Sequence, residues 1–311
     1  MWLRLNADTI TKELHIMLSN EQILARMAED MKLRGLAAGT RASYSYNAGR
    51  FLSWAGLSAE LMGEEEIRAY LQHQISHGKL GASTVNVCNA ALRFLFAVTL
   101  NRGLNYRLLP RMKKARALPE ILTKGELLDI FDNANTLQNK AMLMTIYGSG
   151  LRVSEACKLK TRDVDSEAMR VFVRCGKGGK DRYTLLSRNS LEMLRTYWQS
   201  YSPKHPDGWL FLSKDRLRNA HVRTVQSAFK AAAERAGITK NVSTHTLRAC
   251  FATHLLEAGA DIYRIKQLLG HNQIQSTTFY LRLLNYDSAL TSPLDSMPVG
   301  CAGEPGGGVS Q

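Results

Sequence analysis

Helical periodicity runs through residues 21–105 and then stops, and that interruption constrains the fold more than any other feature of the chain. In residues 106–122, Pro110 and Pro119 break regular structure, while Arg107, Arg111, Lys113, Lys114 and Arg116 crowd into ten residues. Proline fixes φ and removes a backbone donor, so neither a helix nor an inner strand crosses this stretch. The chain therefore divides into a helical domain at 1–105, a basic linker at 106–122 and a second domain at 123–297. A glycine-rich tail at 298–311 has too little apolar content to pack and is expected to be disordered. At 311 residues the chain can build two cores.

In the first domain, Ile23, Leu24, Met27 and Met31 share one face of a helix that Gly35 closes. A second helix is expected after Thr40 as N-cap, with Tyr44, Ala48, Phe51, Leu52 and Ala55 aligned. A third covers residues 64–77, and a fourth starts at Ser83 and carries Leu92, Leu95 and Val98. The second domain opens on a capping box formed by Thr123 and Glu126. Helices are expected at 137–147 and 153–159, and strands at 169–174 and 182–186 with a glycine-rich tip between them. A third strand is expected at 209–212, and further helices at 224–236, 247–258 and 262–269, each closed by a glycine. Tyr197, Tyr263 and Tyr286 read as aromatic core anchors. The fold class is mainly α with a small β-sheet.

Lys and Arg exceed Asp and Glu by 41 to 27, a net charge of +14, so the field around the protein draws in polyanions. Nucleic acid is the natural partner. Taken alone the linker would be a solvated connector; between two basic domains, Arg111, Lys113, Lys114 and Arg116 are candidates for tracking DNA phosphates. Five scattered cysteines form no Cys-x-x-Cys pair and suit a reducing cytoplasm, where the protein is expected to act. The first residues are too charged for a signal peptide, and no unbroken apolar run reaches the roughly 18 residues of a membrane span. Cys250 and His254 lie four apart with no further ligands evident; they read as core packing, and no metal site is expected.

The chemistry-bearing residues fall in one order: Arg152 in Gly-Ser-Gly-Leu-Arg-Val-Ser-Glu, Lys177 in Gly-Lys-Gly-Gly-Lys-Asp-Arg, His245 and Arg248 in Ser-Thr-His-Thr-Leu-Arg, His271 in Leu-Leu-Gly-His, and Tyr280 nine residues on. A phosphodiester under attack spreads negative charge over its oxygens, which rewards fixed donors around it. Arg152 and Arg248 suit that clamp because a guanidinium meets two oxygens and keeps its proton. Tyr280 would be the nucleophile; its phenol, with an ordinary pKa of about 10, gains from surrounding cations. His245 would take the phenolic proton or hold a phosphate oxygen. His271 would donate to the other side of the phosphate, and Lys177 on the hairpin tip would protonate the leaving 5′-hydroxyl. Taken singly, each has a structural explanation; together, in this order, they point to phosphoryl transfer. A phosphotyrosyl product stores the energy of the broken bond, so rejoining needs neither ATP nor metal. The chain carries no phosphate-binding Gly-x-x-x-x-Gly-Lys-Ser/Thr loop.

This set resembles the tyrosine recombinase (phage integrase) family over most of residues 118–297. Phe-Ala-Thr-His-Leu-Leu-Glu-Ala-Gly-Ala-Asp-Ile and Leu-Leu-Gly-His-Asn-Gln-Ile-Gln-Ser-Thr-Thr-Phe-Tyr are close to that family's wording. The resemblance implies a helical core-binding (SAM-like) domain and an α+β catalytic domain clasping double-stranded DNA at inverted-repeat core sites. It assigns catalytic roles to Arg152, Lys177, His245, Arg248, His271 and Tyr280, with Glu155 orienting the site, and it implies no cofactor. It also implies a protein monomeric in solution and tetrameric in the synapse, exchanging strands through a Holliday junction, with accessory proteins left open and no membrane partner. Residues 283–297 would dock on a neighbouring protomer. Two positions depart from the family pattern: Ala249, usually histidine, and Leu281-Arg282, where Thr-His is usual. Among roles, integration, excision or transposition of a mobile element leads, ahead of an Xer-like resolvase of chromosome or plasmid dimers. The ending Ser-Pro-Leu-Asp looks like that of integron integrases, but 209–245 is too short for their extra helix. A topoisomerase, or a catalytically silent DNA-binding or directionality protein, completes the alternatives.

Overall fold

A computed structural model describes residues 18–105, 107–109, 111–113, 120–174, 181–271 and 275–278. The chain forms two compact units, Met1–Arg116 and Ala117–Gln311. The first is helical: α1 (Asn20–Leu33), α2 (Ala38–Ala55), α3 (Glu64–Ser76) and α4 (Ala82–Phe94), which runs on as a π turn at Leu95–Thr99. Ser19 starts α1 by accepting from the Gln22 amide, while Gln22 reaches back to the Ser19 amide. Ile23, Met27, Met31, Phe51, Ile67, Tyr70, Leu92 and Phe96 interlock in one core.

Three expectations shift here. Helix α2 begins at Ala38 with no side-chain cap, so Thr40 lies in its first turn. Helix α4 likewise starts before Ser83, and its core face follows Leu92, Leu95, Phe96 and Thr99, which leaves Val98 half-buried. The strict three-residue step drifts around a 3.6-residue helix; the alternating three-and-four step does not. Finally, Ala82–Thr99 has a mean hydropathy of 1.2 over 18 residues, which is long and apolar enough to cross a membrane. It is the central helix of this unit, with Val85, Cys88, Leu92 and Leu95 buried against its neighbours.

The described part of 106–113 is laid on the first unit. Leu109 is 1% exposed, Asn89 donates to its carbonyl at 3.2 Å, and Asn86 holds the Met112 amide and carbonyl at 2.9 and 3.0 Å. Arg111 and Lys113 are exposed. Lys114 and Arg116 lie outside the described residues, as do 279–311, including Tyr286, the docking segment and the tail.

The second unit contains α5 (Lys124–Asp132), α6 (Leu137–Gly148), α7 (Val153–Cys157), β1 (Val164–Asp165), β2 (Arg170–Val173), β3 (Arg182–Leu185), α8 (Arg188–Tyr201), α9 (Val222–Arg235), α10 (Thr244–Glu257), α11 (Ile262–Leu269) and α12 (Gln275–Thr278). The expected Thr123–Glu126 capping box starts α5. The sheet is antiparallel in the order β1-β2-β3, with Val171 opposite Thr184 and Val173 opposite Arg182. Val171, Val173 and Thr184 turn inward, while Tyr183 faces solvent. The third strand is β1 rather than 209–212, which makes only single bridges, Lys160 to Trp209 and Leu212 to Asn219. The periodicity also missed α8, although Tyr197, on its inner face, is 1% exposed as expected of a core anchor. Tyr263 is 65% exposed, so it is not one. Helix α10 begins three residues before its expected start, because Ser243 accepts from the His245 amide. His254 bonds Tyr147 Oη through Nδ1 at 2.9 Å, and Cys250, fully buried, accepts the Leu122 amide. Among the described residues no group of three or more His, Cys, Asp or Glu side chains gathers as a metal site.

Candidate active site

Three elements converge on one carboxylate. Glu155, in the first turn of α7, reaches back to the Arg152 amide at 2.8 Å and pairs with Arg152 Nη1 at 2.7 Å. From β3, Arg182 donates Nη1 and Nη2 to the two Glu155 oxygens at 2.9 and 2.7 Å. From α10, Arg248 Nη1 stands 3.8 Å from Glu155 Oε2. Three guanidinium groups thus surround one carboxylate, and the surplus favours an anion. Burial pushes the Glu155 carboxyl up, but the Arg182 hydrogen bonds, the Arg152 amide and the neighbouring charges outweigh it and hold its pKa at about 2.

Arg248 is 1% exposed, which a charged side chain tolerates only when its donors are engaged. Nη1 donates to the Gly150 carbonyl at 2.6 Å and Nη2 to the Leu269 carbonyl. Gly150 makes this approach feasible: its φ is +59, and a Cβ there would lie 2.4 Å from the Phe251 ring. His245 and Arg248 share a face of α10, three residues apart. His245 sits exposed at the rim, yet partial desolvation, then the Arg248 and Arg152 charges, lower its pKa. His271, just past the left-handed Gly270 that ends α11, meets Thr277 Oγ1 through Nδ1 at 2.9 Å. Desolvation and then Arg248, Arg152, Arg182 and His245 bring its pKa down to about 4. Both histidines are therefore neutral at pH 7. With Nδ1 satisfied by the threonine hydroxyl, the far nitrogen of His271 can carry the proton and donate.

Five of the expected site residues, Arg152, Glu155, His245, Arg248 and His271, come together here. Lys177 and Tyr280 lie outside the described residues. Ala249 is buried in an apolar cluster with Phe251, Ala252, Ile265 and Leu269, and its side chain has no polar atom to offer there. Two participants were missed. Arg182 closes the Gly-Lys-Gly-Gly-Lys-Asp-Arg run, where a lone arginine carries no signal of a buried partner. Thr277, 0% exposed, carries no sequence signal beyond lying three residues before Tyr280. Chemically, the arrangement can seat a phosphate between fixed cations and neutral imidazole donors.

Comparison with known proteins agrees with this geometry. The model of the phage integrase family matches residues 120–286, and that of the phage integrase N-terminal SAM-like domain matches residues 23–105. The Sinorhizobium fredii protein y4qK, an integrase/recombinase by name, is 41% identical over 88% of this chain and 88% of its own length. Tyrosine recombinase XerA of Pyrococcus horikoshii is 34% identical over 85% of this chain and 90% of its own. A lambda integrase dimer bound to a COC′ core site shares the fold, with a TM-score of 0.71 at 19% identity over 91% of this chain and 84% of that one.

Proposed function

The chain belongs to the phage integrase family and is a tyrosine-type site-specific DNA recombinase, and on that premise we propose that it integrates, excises or transposes a mobile element. The observation that carries the chemical reading is the gathering of Arg152 and Arg248 about Glu155, with His245 and His271 close enough to feel both guanidinium charges, from separate stretches of the chain. In this reading Arg152 and Arg248 hold the nonbridging oxygens of the scissile phosphate. Neutral His245 accepts the phenolic proton as Tyr280 attacks phosphorus, and His271 donates to the phosphate. The P–O bond to the 5′-oxygen breaks, Lys177 protonates that oxygen, and a 3′-phosphotyrosine remains. Attack by a partner strand's 5′-hydroxyl reverses the step and frees Tyr280, so bond energy is conserved without ATP or metal.

Paired sites with inverted-repeat arms would carry a tetramer through a Holliday junction, in the cytoplasm and on nucleoid DNA; the lambda integrase tetramer on a Holliday junction supplies the structural analogy. The likeness to y4qK supports the mobile-element role. The likeness to XerA favours a second reading, dimer resolution by the same chemistry. The test is incubation with nicked suicide DNA from the flanks of the encoding locus, in the presence of chelator, followed by a denaturing gel. A covalent adduct formed by the native protein and lost in Tyr280→Phe is the expected result. An adduct that survives the substitution would move the attack to another side chain.

A further inference from the structure

Arg182 does more in this site than neutralise a carboxylate. Its guanidinium joins three elements: it belongs to β3, both Nη atoms grip Glu155 on α7 at 2.9 and 2.7 Å, and Nε donates to the Leu268 carbonyl on α11 at 2.9 Å. The next carbonyl, Leu269, accepts from Arg248. Two arginines from different elements therefore brace the same helix end, immediately before Gly270 and His271. The fit is close: a Cβ on Gly270 would lie 2.8 Å from Arg182 Cδ. The Arg182 side chain is only 9% exposed. Its Nη pair is turned to Glu155, so it is placed to shape the phosphate site rather than to hold the phosphate.

We infer that Arg182 is a positioning residue for phosphoryl transfer, engaging both Glu155 oxygens so that Arg152 and Arg248 keep their pull on the phosphate while His271 stays in register with them. The physical reason is charge sharing. Without Arg182, the Glu155 charge rests on Arg152 and Arg248 alone, which damps their attraction for a phosphate, and the α11 terminus loses one of its two braces. A role confined to satisfying a buried carboxylate would affect folding stability but not the way the site responds to phosphate charge.

The inference rests on the proposed reaction, and two measurements separate the failure of one from the failure of the other. The first is the NMR titration of His271 without DNA, in the native protein, Arg182→Gln and Arg182→Lys. The charged and titratable groups about that ring are Arg248, Arg152, Arg182 and His245, with Glu155 among the arginines. Removing the Arg182 charge should raise the midpoint measurably above about 4, by only part of the full depression because desolvation, Arg248 and Arg152 each lower it more, whereas lysine should leave it low. The second is the single-turnover rate of adduct formation on nicked DNA carrying either an ordinary phosphodiester or a neutral methylphosphonate at the cleaved position. Arg182→Gln should slow the phosphodiester reaction by roughly 10- to 100-fold, the range for an outer partner that orients a reacting group. Its effect on the methylphosphonate should be clearly smaller, since the arginine clamp has less charge to stabilise there. Arg182→Lys, which keeps the charge but loses the two-pronged grip, should show the same inequality in weaker form, and it carries the test if the glutamine variant does not fold. Equal losses on both substrates, or rates within about twofold of native, would overturn the positioning role. A native protein that forms no adduct would sink the proposed reaction, while an unmoved His271 midpoint in Arg182→Gln would sink the inference on its own.

Discussion

Glu155 and His271 set how the protein responds to acid. The Glu155 pKa falls from 4.5 to about 2, so its ion pairs stabilise the fold above pH 4.5, and that contribution fades as pH falls through 4.5 toward 2. His271 falls from 6.5 to about 4. Above pH 6.5 it is neutral folded and unfolded and contributes nothing. Between 6.5 and 4 the unfolded chain takes up a proton that the folded site refuses, so the folded state loses ground as pH drops. His245 and His254 are lowered as well and act with the same sign. The melting temperature should therefore be nearly flat above about pH 7, decline between 6.5 and 4, and fall more steeply once Glu155 begins to protonate. Calorimetric scans from neutral pH to about 3 test this, and His271→Gln should shallow the upper part of the decline. A flat curve down to about pH 4 would mean that these rings are not shielded from protons in the way their surroundings indicate.

At the scale of elements, the site depends on backbone turns that only glycine fits. Gly150 and Gly237 both have positive φ, +59 and +69, so each should cost about 1 kcal/mol on replacement by alanine. Beyond that they differ. A Cβ at Gly237 meets nothing within 4 Å, whereas at Gly150 it would lie 2.4 and 2.6 Å from the Phe251 ring and 3.1 Å from Leu269 Cδ2. Gly150→Ala should therefore cost about 2–4 kcal/mol in urea denaturation against about 1 for Gly237→Ala, and it should disturb the carbonyl that Arg248 holds. Equal costs would show that Phe251 yields freely. The helix-ending glycines 237, 259 and 270 were legible in the sequence because a left-handed terminus is a local demand with one cheap solution. The motif histidines and arginines were legible from their order along the chain and from the short motifs around each, not from their separation. Arg182 was not, since its partner Glu155 lies 27 residues away and becomes its neighbour only when β3 docks beside α7. Strand β1 was missed for a similar reason: two residues carry no periodicity, and Val164–Asp165 is a strand only because β2 pairs with it.

For the whole molecule the governing quantity is the charge of +14. A recombinase must hold a long, uniformly charged polymer before it can read any base, and counterion release makes that hold depend on salt, with a slope of about 0.9 per phosphate neutralised. Arg111 and Lys113 are exposed on a segment whose backbone is pinned to the first unit through Leu109 and Met112. Chain so anchored presents its cations at fixed positions and loses little entropy when they meet phosphates. Arg111→Ala and Lys113→Ala should each weaken binding to any duplex and lower the slope of log K against log salt by about 1, with the melting temperature unchanged because neither side chain is buried. Anisotropy titrations at several salt concentrations, on a cognate flank and on a scrambled duplex, give both slopes. Equal losses on the two duplexes would mark backbone tracking. A loss confined to the cognate flank would mean that these side chains read base edges, and an unchanged slope would return the segment to a solvated connector.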